Sequence, residues 1–423
     1  MHLFDYLLKF RITVADKDDF ISTYKTINEY SEKQDFLVQF LHGLNDKIFT
    51  KYSERIPHLL QLSNKRGVNN NFKIFNGHLV HLDTLMIVSC PIRKFNNIKQ
   101  NCDAKFASRS INPNLFTFYE AIDGTTIALS YQDSCSGDVQ KSMIGGKWLI
   151  STVRTINAGV YDFSSNKNIY MIVRDLLNES NIDANSLDAN YTYNFVIREK
   201  ELNPTHKGEP MMNFICKAKI DSDEIIYDYT MDKLFKKTKK NPKCKIEHMR
   251  QVDIGKHKRV TLESLIQFCA KAKSSADFGL LVIFKSNQVN DIDYHIYTKY
   301  TDLIKKWIYT PMFETHDIKQ LAINIFMLSD NADDIEIMEE IVPDFEPHFA
   351  TLNVIYMSIV AAIKNIKKTN YSCEPEIKQI AIDIMDANKE IENVSTTNLN
   401  KIIASTIKGN NVIFQTFCKI VLK

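Results

Sequence analysis

Pro311 divides this chain into two stretches whose apolar residues follow different periods. Over 71–310, short runs rich in β-branched and aromatic residues follow one another: FKIFNGHLVHL, TLMIVSC, LFTFYEA, TTIALSY, KWLISTV, YTYNFVI, NFICKAKI, EIIYDYT, FGLLVIF and YHIYTKY. Such runs, bounded by turn residues, read as strands. One interruption, YMIVRDLLNES, has helical spacing. After Pro311 every apolar segment turns helical: DIKQLAINIFML, DDIEIMEEIV, TLNVIYMSIVAAIKNIKK, EIKQIAIDIMDANKEI and LNKIIASTIKG each carry one apolar stripe. Pro343, Pro347 and Pro375 fall between them, as helix breakers should. Many strands with few helices, then helices alone, predict an α+β chain: antiparallel sheets over 71–310 and an all-helical C-terminal domain over 311–423. Residues 1–70 mix a helical pattern, DDFISTYKTINEYSEKQDFLVQFLHGL, with polar turns, and read as a mixed α/β segment packing on the core.

Composition narrows the function classes. With 423 residues the chain is long enough for two or three cores. Its formal charge of +2 gives no global nucleic-acid signature, so any such footprint has to be local. One stretch qualifies: KLFKKTKKNPKCKIEHMRQVDIGKHKR, residues 233–259, where only Glu247 and Asp253 oppose the cations. Lys236, Lys237, Lys239, Lys240, Lys243, Lys245, Lys256, Lys258 and Arg259 are its candidate phosphate contacts; the plain alternative is a solvated loop.

The eight cysteines form no Cys-x-x-Cys pair, and Cys244 with His248 lacks further ligands nearby. That predicts no zinc site and a reducing, cytoplasmic setting. The opening MHLFDYLLKFRITVADKDD is broken by charges and does not read as a signal peptide, and the apolar run at 354–363 is too short to cross a bilayer. No membrane partner is expected. The Gly145-Gly146-Lys147 sequence lacks the earlier glycine of a phosphate loop and reads as a turn. Lys141 and Lys147 lie close enough in sequence to raise the idea of a relocated nucleophile, but they read as solvent-facing hairpin residues.

Within the strand-rich region, FTFYEAIDGTTIALSY (116–131) sets two β-type runs around Asp123-Gly124, a turn pair that predicts a hairpin. The stretch also resembles the Lys-x-Asp-Gly signature of nucleotidyltransferases, with Ala121 where the lysine would stand. The order of its neighbours extends the likeness. RG at 66–67, MIVSCPIRKFNNI at 86–98, KWLISTVRTI at 147–156, TYNFVI at 192–197, MMNFICKAKI at 211–220, DFGLLVIFK at 277–285 and HIYTKYTDL at 295–303 resemble, in sequence, the segments of the phage-type RNA ligase 1 family, the ATP-dependent tRNA-repair ligases. The helical tail from LAINIFMLSDNADDIEIMEEI onward resembles that family's C-terminal domain. The resemblance implies a nucleotidyltransferase-like fold of antiparallel sheets, with Arg66, Lys94, Asp123, Gly124 and Lys299 as vestigial nucleotide-binding residues.

It implies four losses as well. The nucleophile position is Ala121, the two carboxylate positions are Val196 and Phe278, and the first lysine of the last strand is Tyr297. Ligase chemistry begins with attack by a lysine amine on the α-phosphate of ATP, and alanine has no nucleophile. Mg²⁺ needs oxygen ligands, and neither valine nor phenylalanine supplies one. The expectation is a pseudo-ligase with no cofactor, retained for RNA binding or as a protein-binding assembly scaffold. The Asn-, Ile- and Lys-rich composition adds a viral source and a virion association to it. The open alternative is an ATP- and Mg²⁺-dependent RNA ligase, active or inactivated by a Lys-to-Ala change alone.

Overall fold

The computed structural model describes the chain except residues 10–11, 13, 46–47, 65–75, 93–94, 99–109, 134, 136–137, 154, 161–167, 200–202, 204–205, 207, 222–223, 237–243, 255–259, 272–278, 286–292, 299, 302, 304–317, 329–331, 367–370, 389–395 and 423. Two compact units result: Met1–Lys271 with Asp277–Thr298, and Ala272–Ala276 with Lys299–Lys423.

The strands of the first unit are, in chain order, β1 (Ile48–Tyr52), β2 (Leu59–Asn64), β3 (Asn76–His81), β4 (Met86–Ser89), β5 (Asn96–Ile98), β6 (Ser110–Ile111), β7 (Phe116–Glu120) and β8 (Thr125–Tyr131). They continue with β9 (Trp148–Ser151), β10 (Tyr191–Arg198), β11 (Met211–Ile220), β12 (Ile225–Asp228), β13 (Ile246–His248), β14 (Val260–Thr261), β15 (Gly279–Phe284) and β16 (Tyr294–Tyr297). The first sheet runs β1-β2-β3-β4, and its β2–β3 pairing crosses residue 70. The central sheet runs β12-β11-β10-β8-β9, with β13 added parallel to β11. The third runs β5-β16-β15-β7, and β14 pairs with β6. Apart from the β11–β13 and β5–β16 pairs, the ladders are antiparallel. This is the α+β architecture the two periods predict.

Each sheet buries its own core. Helices Leu3–Lys9, Lys17–Thr26 and Tyr30–Leu44 cover the first sheet, packing Leu3, Phe4, Leu7, Leu37 and Leu41 with Leu60, Leu62, Val80 and Ile87. Helix Ile169–Glu179 covers one face of the central sheet. It begins where the Asn168 side chain accepts the Met171 N–H (2.9 Å), a standard N-cap. Its Ile169, Ile172, Val173, Leu176 and Leu177 repeat at three and four and are buried, each contributing roughly 1.5–3 kcal/mol. Helix Leu262–Ala270 covers the third sheet with Leu262, Leu265, Ile266 and Cys269, and starts at a Thr261–Ser264 capping box. Its nine residues span little more than two turns, too short for a periodic signal in the sequence.

The second unit is helical throughout its described elements: Ile318–Leu328, Ala332–Ile341, Glu346–Asn365, Pro375–Ala387, Thr396–Gly409 and Asn411–Leu422, with a 3₁₀ turn at Pro343–Phe345. Pro347 and Pro375 occupy first-turn positions of their helices, where the missing N–H has no intrahelical acceptor to lose. Leu321, Phe345, Leu352, Ile359, Ile380, Ile403 and Phe417 form its interior. Among the described residues no helix is long and apolar enough to cross a membrane.

One expectation fails. Residues 116–131 are not a hairpin: β7 pairs with β15 in the third sheet, whereas β8 pairs with β10 and β9 in the central sheet. Ala121–Gly124 is a crossover between two sheets. A two-residue hairpin turn needs backbone with positive φ, and Gly124 is not among the positive-φ glycines, whereas Gly145 (57°) and Gly146 (71°) are and close the turn bridged by Ile144 and Trp148.

Candidate functional site

The crossover is where separated segments meet. The Ala121 N–H donates to the Gly279 carbonyl (2.9 Å), and the Glu120 N–H donates to the Arg250 carbonyl (2.9 Å). Gly279 stands opposite Tyr297 in the β15–β16 ladder, so Ala121, Gly279 and Tyr297 lie side by side across three strands. On the other side Val196 of β10 presses on Gly124: a Cβ there would sit 2.2 Å from Val196 Cγ1 and 2.5 Å from the Ile197 carbonyl oxygen. Ala121, Asp123 and Gly124 are thus brought together with Val196 and, through Gly279, with Tyr297. Phe278, Arg66, Lys94 and Lys299 lie outside the described residues.

These positions are packed. Ala121 is 4% exposed, Asp123 9%, Val196 6% and Tyr297 4%. Gly279 holds the packing in place from a φ of +133°, and a Cβ on it would meet the Ile296 carbonyl oxygen at 2.3 Å. That backbone region is essentially reserved to glycine. Gly279→Ala is therefore expected to cost about 3 kcal/mol or more, adding backbone strain to a clash with a strand that cannot yield. Urea unfolding checks it, and a loss below about 1 kcal/mol would contradict the geometry.

A residue pair that sequence reasoning passed over fixes a neighbouring segment. Asn194, fully buried in β10, accepts the Ile92 N–H at Oδ1 (2.8 Å) and donates from Nδ2 to the Cys90 carbonyl (3.3 Å). Thr192 Oγ1 accepts the Cys90 N–H (3.2 Å). The clue in the sequence was the Thr192–Asn194 alternation: two polar side chains on one face of an otherwise apolar strand. They pin residues 90–92, just before the Lys94 segment.

The chemistry available is limited. Of the positions that the sequence resemblance compares with a nucleophile and a carboxylate, Ala121 offers no nucleophile and Val196 no oxygen donor. Among the described residues no group of three His, Cys, Asp or Glu side chains is set to hold a metal ion. A relocated nucleophile fares no better at Lys147. Its ammonium lies 5.7 Å from the Tyr131 ring centre, and the bond to Tyr131 raises its pKa, keeping the amine protonated. Lys141 is exposed at the end of helix Asp138–Lys141.

The basic segment is anchored at both described ends. Phe235, fully buried, meets Tyr193, Phe195 and Phe214 with ring centres 5.3–6.0 Å away. Cys244 is buried with its Sγ 3.4 Å from the Phe235 carbonyl oxygen, and Ile246 pairs with Met212. Lys236 is exposed. Lys245 is different: its ammonium bonds Glu209 and lies 3.3 Å from Glu179, and these carboxylates raise its pKa. Lys245 is already paired, so a phosphate would have to displace two acids. Lys237, Lys239, Lys240, Lys243, Lys256, Lys258 and Arg259 lie outside the described residues.

No protein-family model matches the chain, and no curated protein matches it in sequence. Solved structures do show a likeness. An archaeal ATP-dependent RNA ligase is 10% identical with a TM-score of 0.37, covering 78% of this chain and 83% of its own. A chain described as an ATP-dependent DNA ligase from Aquifex aeolicus is 13% identical with a TM-score of 0.32, covering 83% of this chain and 87% of its own. A Naegleria gruberi RNA ligase mutant is 10% identical with a TM-score of 0.30, covering 47% of this chain and 52% of its own.

Proposed function

We propose that this chain is an RNA-ligase-like nucleotidyltransferase scaffold that does not perform the ligase's first step and is retained to bind RNA or to organise an assembly. The observation that carries the reading is the convergence at 121–124. Positions singled out by sequence resemblance in separate segments lie together there, as Ala121, Val196 against Gly124, and Tyr297 opposite Gly279. Ala121 supplies no amine nucleophile there, and Val196 supplies no oxygen ligand. Separate domains over 71–310 and 311–423, a viral source and a cytoplasmic or virion location belong to the same proposal, the last two resting on composition alone.

RNA binding is tested through the basic segment. Phosphate contacts release counterions, so log affinity for a single strand falls with log salt by roughly 0.7 per neutralised phosphate. Changing Lys236, Lys237, Lys239 and Lys240 together to Ser is expected to weaken binding to every RNA sequence alike and to flatten that slope. Folding is expected to change little, because the anchors at Phe235 and Cys244 are untouched. Equal affinities and equal slopes for parent and variant would remove RNA from the proposal and leave the assembly role.

A further inference from the structure

Two rows of small polar residues are turned toward each other where the first sheet meets the central sheet. In the first sheet, Gln61 of β2 pairs with Leu79 of β3, and Leu79 pairs with Ser89 of β4. In the central sheet, Ser130 of β8 pairs with Leu149 of β9, and Ser151 of β9 pairs with Ala128. Residues paired in this way share a face, and side chains two apart along a strand return to it. Leu79 and Leu149 belong to one apolar cluster with Ile56, Leu59 and Met143, so both rows face the same interface. The sheets also bond directly there. Gln61 Nε2 donates to the Thr152 carbonyl (2.8 Å) and Ser63 Oγ to the Val153 carbonyl (3.2 Å). A Cβ on Gly77 would lie 2.8 Å from Val153 Cα.

Gln61, Ser89 and Ser151 are fully buried, and Ser130 is 1% exposed. Gln132, two residues beyond Ser130 on the same side, is 5% exposed. Yet Gln61 Oε1, Ser89 Oγ, Ser130 Oγ, Ser151 Oγ and Gln132 Nε2 have no hydrogen-bond partner among the described residues. A buried hydroxyl or amide left unpaired costs a factor of roughly 5–150 in the folding equilibrium, and here five such groups fall in one interface. We propose that the contact between the first and central sheets is a built water site, in which ordered waters bridge Gln61, Ser89, Ser130 and Ser151. The lining selects that guest. Three hydroxyls both donate and accept, and the two amides add one acceptor and one donor. None of the five groups is charged, so an ion would lack a counter-charge. A buried water makes about three hydrogen bonds to groups otherwise left unsatisfied, and the two rows offer such groups from both sides. The waters tie the sheets together with directional bonds around the leucine cluster.

A crystal structure of the full chain tests the assignment. Ordered water is expected within about 2.7–3.2 Å of at least two of Gln61 Oε1, Ser89 Oγ, Ser130 Oγ and Ser151 Oγ. Urea unfolding of Ser130→Ala and Ser151→Ala tests what the waters do. Each variant removes a bridged hydroxyl and is expected to raise the unfolding constant about fivefold. A dry interface gives the opposite sign, because deleting an unpaired hydroxyl leaves that constant unchanged or lowers it. Hydroxyls turned onto backbone carbonyls with no water between the rows, density that only a larger guest fills, or variants as stable as the parent would each overturn the proposal.

Discussion

Phe235→Ala is expected to cost about 3–5 kcal/mol, the usual range for emptying a core phenylalanine site. The ring is the meeting point of Tyr193, Phe195 and Phe214, from β10 and β11. Its 3₁₀ turn, Lys233–Phe235, is set by Asp232, which accepts the Leu234 N–H (3.1 Å) and also binds Lys217 (2.9 Å). Removing the ring therefore opens a cavity in the central core and frees the entry to the basic segment at once. A loss of this size is a large share of the roughly 5–15 kcal/mol that holds a typical domain together. Urea unfolding followed through Trp148, buried 5.7 Å from Tyr193, reads it directly. A cost under about 1 kcal/mol would mean the segment is not anchored through Phe235.

Ala121→Lys is the second. The substitution supplies the amine that the resemblance says is missing, so a site lacking only its nucleophile would regain adenylylation. Here the amine would enter a position 4% exposed, between Gly279 and the Gly124–Val196 contact. An ammonium in such a place is expected to destabilise the fold by roughly 2 kcal/mol or more. On the proposed reading no nucleotide adduct is expected, since Val196 and Tyr297 lack the charges that the sequence resemblance assigns to those positions. Thermal unfolding reads the first effect, and mass measurement after incubation with ATP and Mg²⁺ reads the second. Restored adduct formation in a stably folded variant would contradict the degraded-site reading.

How much of this was legible beforehand follows from what a linear pattern encodes. The aromatic and β-branched run YTYNFVI and the three-and-four spacing in EIKQIAIDIMDANKEI both became the elements they predict, the strand buried on both faces and the helix on one. Partner choice is another matter. FTFYEA and TTIALSY satisfy the strand pattern whether they pair with each other or with distant strands, and tertiary packing assigned them to different sheets. The Asp-Gly pair suggested a turn, yet Gly124 serves close approach to Val196 instead. The charge run at 233–259 was visible, but not its anchoring: Phe235 and Cys244 look like isolated apolar residues among lysines until the central sheet receives them. Nor does charge alone distinguish Lys245, which two acids from distant segments, Glu179 and Glu209, hold in place.

The central claim, a ligase-like scaffold without the ligase's first step, is tested most directly by incubating the unmodified chain with α-labelled ATP and Mg²⁺ and resolving it under denaturing conditions. The label is expected to leave the protein completely, because no lysine stands at 121 to hold it as a phosphoramide. Label that stays covalently bound, and maps to any lysine of this chain, would contradict the claim.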